Sequence, residues 1–453
     1  MTRQVTLHGY IRDYPVKELL PYYLIAISYV LVLLSYPMPP APGVVEFVMG
    51  TGLVAGCVLL LREASKLNLS DYKWLVVSLM AGAILVIYPA IHGVLNGTAF
   101  GKIARDMFPM VFLVILVPLI AYSASGDSKN KVSGILLAGV LCVGAISSIE
   151  FIVDMQSEYG SMSELSAAFD ATYDNPVNIK IPLDKEASAS APAASAPVVQ
   201  NMFSVYALHI FEPAVTFAAI YCGCLFFVMI SRKKFILALS NAVVAAVALY
   251  GLTMLRLRAP VGLFVIAQFI FISYLAYKTN NLKKQLWIAF SVLLICIIVA
   301  IAFRDMLWGL VLKQHLVGTN GKLDEWNAVF GVLGENWHRL LIGIGWGKEF
   351  VPNYQLDPVR FTHSLFSFVL LKAGLFGLIL LIVVYAHLMH RLFSRMQNDQ
   401  FDPGKLAVFL ASVPVILIGF LFQPTYKMLG FSVIVAMLLS WTANLTAGKT
   451  RQA

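Results

Sequence analysis

The chain predicts an all-α polytopic membrane protein of about twelve transmembrane helices with both termini on one side of the bilayer. Three observations carry this. Of 453 residues, 59% are hydrophobic and 13% charged, with a mean hydropathy of +0.79; ordinary soluble domains carry about a quarter charged residues. Apolar runs of about 17 to 25 residues, long enough to cross the hydrocarbon core, recur along the chain. The 33 Lys and Arg residues are also unevenly distributed.

Taken in order, the first run, 20–37, follows Arg3, Arg12 and Lys17 with no small-residue cleavage site after it, so it is expected to stay as a helix. Runs at 44–61, 74–94, 107–124 and 132–153 follow, then 207–231, 235–252, 260–277 and 286–303. The last three are 363–389, 405–423 and 427–446. An even count puts the termini together. The termini and the loops at 62–73, 125–131, 232–234, 278–285 and 390–405 hold 19 Lys/Arg, and the opposite loops hold 12. Short loops on the poorer side contain only Lys102, Arg105, Arg256 and Arg258. The richer side is therefore expected to be cytoplasmic, and the net charge of +9 reflects topology, not nucleic-acid binding. Cys57, Cys142, Cys222, Cys224 and Cys296 all fall in apolar runs, so neither a disulfide nor a metal site is expected.

The whole chain, 1–453, reads as a single transmembrane domain with two long outer loops. Loop 154–206 contains the tract Ala187-Ser188-Ala189-Ser190-Ala191-Pro192, too poor in large apolar groups to offset its ordering entropy, and reads as a flexible linker. Loop 304–362 differs. Trp308, Leu312, Trp326, Phe330, Leu333, Trp337, Leu340 and Leu341 recur at near-helical spacing among polar residues. A cap of amphipathic helices lying on the bilayer is expected there. No period of 20 to 50 residues repeats, which counts against an inverted-repeat transporter.

The candidate chemistry is basic. Arg256 and Arg258 occupy a tight outer turn, where guanidiniums present forked donors to phosphate oxygens or snorkel to lipid headgroups. Lys102 and Arg105 carry the same two readings. His363, where the long outer loop re-enters the apolar helix at Phe361-Thr362-His363-Ser364, is the candidate for proton transfer. Lys372, nine residues further, must face protein or a polar cavity, paired with one of Glu46, Glu150 and Glu212 or countering a pyrophosphate. Glu212, before Pro213, reads as a structural group at a helix start. Gly343-Ile344-Gly345-Trp346-Gly347 lacks the context of a nucleotide fingerprint and reads as a tight reversal that returns the loop to the membrane. This inventory suits binding an anionic leaving group and activating a hydroxyl without a metal or other cofactor.

Residues about 250–380 resemble the O-antigen ligase and O-antigen polymerase superfamily of bacterial inner-membrane proteins. The matching features are the turn Leu255-Arg256-Leu257-Arg258-Ala259, then a long outer loop with a basic residue shortly before a tryptophan. They continue with Ile342-Gly343-Ile344-Gly345-Trp346-Gly347 and with Thr362-His363-Ser364 opening a helix that carries Gly374 and Gly377.

The resemblance implies a multi-span glycosyltransferase of the bacterial inner membrane that works on the periplasmic side, with loop 304–362 as active-site cap. It would take a glycan from an undecaprenyl-diphosphate carrier and pass it, with inversion and without metal, to an acceptor hydroxyl. The acceptor is lipid A-core for a ligase or a second carrier-linked glycan for a polymerase. Carried over, Arg258 or Arg256 would hold the diphosphate and His363 would activate the acceptor. The family's second arginine falls on Lys322 of Gly321-Lys322-Leu323-Asp324-Glu325-Trp326, which keeps charge and loses the fork, so Lys322 or Arg304 would serve. Ser364 stands where asparagine is common in ligases. The reading leans slightly to ligase, with polymerase as the alternative and a lipid-linked glycan transporter as a further one.

Overall fold

The computed structural model describes residues 16–34, 43–65, 67–124, 129–160, 210–255, 257–278, 322–351, 358–398 and 402–440. Among these the chain is helical, the one extended pairing being the isolated bridge between Phe350 and Val359. Helix α1 is Val16–Val30, continued by a 3-10 turn at Leu31–Leu34; α2 is Val44–Ala64 and α3 is Leu69–Leu95. Helix α4 is Phe100–Ser123, and α5 is Lys129–Tyr159. Then come α6 (Pro213–Ser231), α7 (Phe235–Met254) and α8 (Arg258–Lys278). The loop helices α9 (Lys322–Gly334) and α10 (Trp337–Ile342) precede α11 (Leu365–Asn398), α12 (Pro403–Leu421) and α13 (Leu429–Ser440).

Nine of the described helices are long and apolar enough to cross a membrane, and Glu18–Leu34 and Leu429–Ser440 are apolar but shorter. The chain is a multi-pass membrane protein. Eleven of the apolar runs coincide with described helices; the run at 286–303 lies outside the described residues, as do most of loop 154–206 and the tryptophan at 308. Large apolar side chains such as Phe47, Val54, Ile87, Ile236 and Phe269 are exposed along α2, α3, α7 and α8. In a lipid-embedded chain these faces meet acyl chains, not water.

Local chemistry sets the helix boundaries. Asn68 caps α3 by accepting the Asp71 N–H, and Asp402 caps α12 by accepting that of Gly404. Pro213 opens α6 at the position where its missing donor costs nothing, and the buried Glu212 before it accepts a 2.6 Å hydrogen bond from the Tyr29 hydroxyl. Within α4, residues Phe112–Leu116 form a π turn just before Pro118. Proline cannot donate to the carbonyl four residues back, so the ladder widens there. Tyr385 of α11 takes the Leu113 carbonyl at 2.5 Å.

Helix α11 is broken at Gly374, whose φ of 64° lies in the left-handed region. Such a break frees carbonyls that must find partners inside the protein. Two of them go to the segment Gly343–Gly347. Ile344 N–H donates to Leu371 O at 2.9 Å and Gly345 N–H to Lys372 O at 3.0 Å, while the Tyr88 hydroxyl donates to Ala373 O. On the other flank Trp346 N–H reaches Pro89 O of α3, and the indole N–H reaches Val86 O at 2.9 Å. Gly343-Ile344-Gly345-Trp346-Gly347 is therefore more than the reversal expected from sequence. It is an irregular wedge, with three glycines at positive φ, that lies between α3 and α11 and closes the broken helix.

Candidate functional site

The site forms where α4, the wedge, α9, the start of α11 and the 3-10 turn Pro424–Lys427 converge. His363 sits two residues before α11, not on its first turn as expected. Its ring Nδ1 lies 2.5 Å from Oε2 of Glu325, and its backbone N–H donates to both carboxylate oxygens, at 2.9 and 3.1 Å. Glu325 is 2% exposed. It is placed by the packing of α9, whose Ala328, Val329 and Leu333 bury against Ile344, Phe350, Leu370 and Leu371. With Nδ1 given to the carboxylate, the ring's Nε2 is the nitrogen left to act, and the side chain is 45% exposed.

The flanks of His363 are pinned. Tyr426 donates to the Thr362 carbonyl at 3.0 Å, Thr362 donates to Ser364 O at 2.9 Å, and the hydroxyls of Ser364 and Ser367 meet at 2.6 Å. Ser367 also donates to the Thr362 hydroxyl at 2.8 Å. Both serines and Thr362 are buried, so the loop carrying the imidazole is held by a closed network of hydroxyls.

A charge cluster adjoins this pair. Asp106 on α4 is fully buried. It lies 3.2 Å from the Lys372 ammonium and 3.2 Å from the Arg360 guanidinium, and accepts the Gly347 N–H at 2.6 Å. Lys372 also donates to the Lys348 carbonyl. This corrects the sequence expectation for Lys372: its partner is Asp106, not Glu46, Glu150 or Glu212. The break at Gly374 leaves this ammonium among polar backbone, which is what makes a lysine there tolerable.

Arg360 and Lys427 both lean on Phe361, two residues before His363, at 5.0 and 3.8 Å from the ring centroid. Arg360 Nε makes no aligned hydrogen bond despite its proximity to Asp106, and Lys427 has no carboxylate within ion-pair distance among the described residues. Burial pushes the Lys427 ammonium down to about 8, against the partial support of Asp106. Nearby, Lys102 pairs with Glu349 at 2.7 Å, and that hydrogen bond holds the Glu349 carboxyl below its ordinary range. The cluster thus carries cations whose charge is not fully spent on protein carboxylates, beside an oriented imidazole.

The other sequence candidates fall as follows. Arg105 is exposed, one residue from the buried Asp106. Arg258 is the first residue of α8 and not part of the preceding turn; its neighbours Leu255, Leu257 and Val261 belong to an apolar cluster separate from those beneath His363. Lys322 opens α9 three residues before Glu325, and its side chain lies outside the described residues. Arg256 and Arg304 are outside them as well. Sequence reasoning passed over Glu325, Asp106 and Arg360 and left Lys427 unassigned. One signal was available: Asp106 is a carboxylate at the head of an apolar run, a costly place for an unpaired charge. Among the described residues no group of three His, Cys, Asp or Glu side chains is arranged to hold a metal.

Fold and site together define a multi-pass α-helical membrane protein with a carboxylate-oriented histidine beside a cationic cluster. No family model, curated protein or solved structure matches the chain.

Proposed function

We propose that this protein is a glycosyltransferase that moves a glycan from an undecaprenyl-diphosphate carrier to an acceptor hydroxyl. The observation that carries the reading is the His363–Glu325 pair set beside Arg360 and Lys427. A buried carboxylate on Nδ1 orients an imidazole and stabilises its protonated form, leaving Nε2 to act as base. The acceptor oxygen attacks the anomeric carbon and its proton passes to Nε2. The bond from that carbon to the diphosphate oxygen breaks, and the carrier diphosphate leaves. Cations aimed at the leaving group gain strength where water is excluded. Arg360 and Lys427 take the leaving-group role that the family resemblance assigns to Arg256, Arg258, Lys322 or Arg304.

On this reading the positive-inside bias puts the site on the periplasmic side of the bacterial inner membrane, with α9 and α10 as its cap. Phe330, Trp337, Leu340 and Leu341 are exposed on those helices, an apolar surface suited to the lipid interface. Ligase is preferred to polymerase by a small margin.

The broken α11 with its buried lysine is also a feature of transporters, which use discontinuous helices to coordinate substrate. Here the carbonyls freed at Leu371, Lys372 and Ala373 each already accept a hydrogen bond, from Ile344, Gly345 and Tyr88, so the break is satisfied within the protein without an ion. That favours the transferase.

The test is purified protein with undecaprenyl-diphosphate-linked glycan, alone and with lipid A-core. Glycan on the core marks a ligase, and a ladder of carrier-linked chains without core marks a polymerase. Carrier binding with neither product would overturn the transferase reading.

A further inference from the structure

A second cleft, of about 190 Å3, opens behind the wedge between the end of α3 and α10. His92, Asn96, Asn336, His338, Arg339 and Lys348 line it, with the backbone of Gly343 and Ile344. No carboxylate is among the lining residues. Arg339 pairs with Glu335, one helical turn back, but Lys348 has no carboxylate partner among the described residues. Nδ1 of His92 is buried without a hydrogen-bond partner. An unpaired buried nitrogen in the wall of a polar cleft is an unmet hydrogen-bonding demand.

The remaining groups are of two kinds. Arg339, Lys348 and the asparagine amides supply donors, and the two charged ones favour an oxyanion. Asn336 Oδ1 lies 3.0 Å from both the His338 N–H nitrogen and its ring Nδ1. With Nδ1 donating to the asparagine, the neutral ring keeps Nε2 as a hydrogen-bond acceptor. Trp337, tilted against the His338 ring and 64% exposed, adds an apolar ring beside the cleft. The volume is below the roughly 300–1,000 Å3 of sites for drug-sized ligands and suits one small ring.

We propose that this cleft binds a single oxyanion-bearing sugar residue. That it belongs to the transferred or accepting glycan rests on the transferase reading; that it binds an acidic sugar does not. The cleft is joined to the charge cluster through adjacent residues. Lys348 lines the cleft and its carbonyl accepts from Lys372, while the Gly347 N–H donates to Asp106. An occupied cleft would hold the wedge, and through it the cluster beside His363, in place.

The experiment is ligand-observed NMR titration of the full-length protein in lipid nanodiscs with glucuronate, glucose 6-phosphate and glucose. At least one oxyanion sugar is expected to bind tenfold or more tightly than glucose, and which one does so identifies the oxyanion. Lys348→Gln and His92→Ala are each expected to weaken that binding about tenfold with melting temperature unchanged, and His363→Ala to leave it intact. Equal binding of all three sugars, binding of none, or full binding by Lys348→Gln would overturn the proposal. Lys348-dependent binding without glycan transfer from any carrier would keep the cleft and remove the transferase.

Discussion

His363 Nδ1 and Glu325 Oε2 are 2.5 Å apart although 38 residues separate them, and the same carboxylate also accepts the histidine's own backbone N–H. One buried side chain therefore sets both the position of the loop and the orientation of the ring. A carboxylate in this place does two things that a neutral amide does only in part: it fixes which nitrogen carries the proton, and it stabilises the imidazolium once formed.

Glu325→Gln is expected to slow transfer by roughly 10- to 100-fold, with carrier affinity within about twofold of wild type, because the amide still holds the backbone N–H. His363→Ala removes the base and is expected to slow transfer by roughly 10²–10⁴-fold while the protein still folds. Single-turnover rates alongside carrier titrations check both. Unimpaired transfer by His363→Ala would end the assignment.

Buried Asp106 shares its single negative charge between Lys372 and Arg360. Asp106→Asn leaves Lys372 and Arg360 uncompensated, and breaking a buried pair from one side costs about 3–5 kcal/mol. A lower melting temperature in detergent is expected, with partial recovery in Asp106→Asn combined with Lys372→Met. Additive losses in the double variant would show that the two side chains do not interact.

The glycines of the wedge and break differ from those elsewhere. A Cβ at Gly374 would stand 2.4 Å from the Leu341 carbonyl carbon, and one at Gly343 would stand 2.3 Å from that of Lys372, both at positive φ. Neither neighbour is a side chain that swings away. Gly374→Ala and Gly343→Ala are each expected to reduce folded yield severely, whereas Gly101→Ala, with nothing within 4 Å, is tolerated. Size-exclusion profiles of the three variants decide this.

Lys427 gives the site a pH dependence. Burial brings its ammonium down to about 8, so raising pH from 7 to 9 removes a positive charge beside Phe361. Carrier affinity is expected to fall over that interval, and in Lys427→Arg to stay level because guanidinium keeps its proton. Folding stability moves the other way. Between about 8 and the usual lysine range the unfolded chain holds the proton and the folded chain does not, so this group's contribution to stability rises with pH. Binding and melting measured from pH 7 to 9.5 separate the two; parallel curves for wild type and Lys427→Arg would assign the dependence to another group.

Much of the scaffold was legible in the chain. Apolar runs mark helices because backbone groups in lipid must pair within their own segment, so the described spans begin and end close to where hydropathy puts them. His363 stood out because a single titratable ring at a re-entry point is costly to place without use. Helices within loop 304–362 were legible as near-helical apolar spacing, though not that α9 would carry a carboxylate to the histidine.

What the chain could not disclose are pairings across distance. Lys372 lies 266 residues from Asp106, Trp346 lies 260 residues from the Val86 carbonyl, and Lys427 ends the 3-10 turn between α12 and α13 although hydropathy puts it at the edge of the last apolar run. Hydropathy is a sum over neighbours along the chain, whereas a buried charge is decided by whichever partner the folded helices bring within about 4 Å. The sequence by itself determined that this is an all-α membrane protein with a histidine at the head of a long helix. The tertiary structure alone decided that the helix breaks at Gly374, that the wedge Gly343–Gly347 fills the break, that Glu325 meets that histidine, and that Arg360 and Lys427 meet on the neighbouring Phe361 with Asp106 against Arg360. The wedge and the Lys372–Asp106 pair each satisfy polar groups that burial would otherwise leave unpaired.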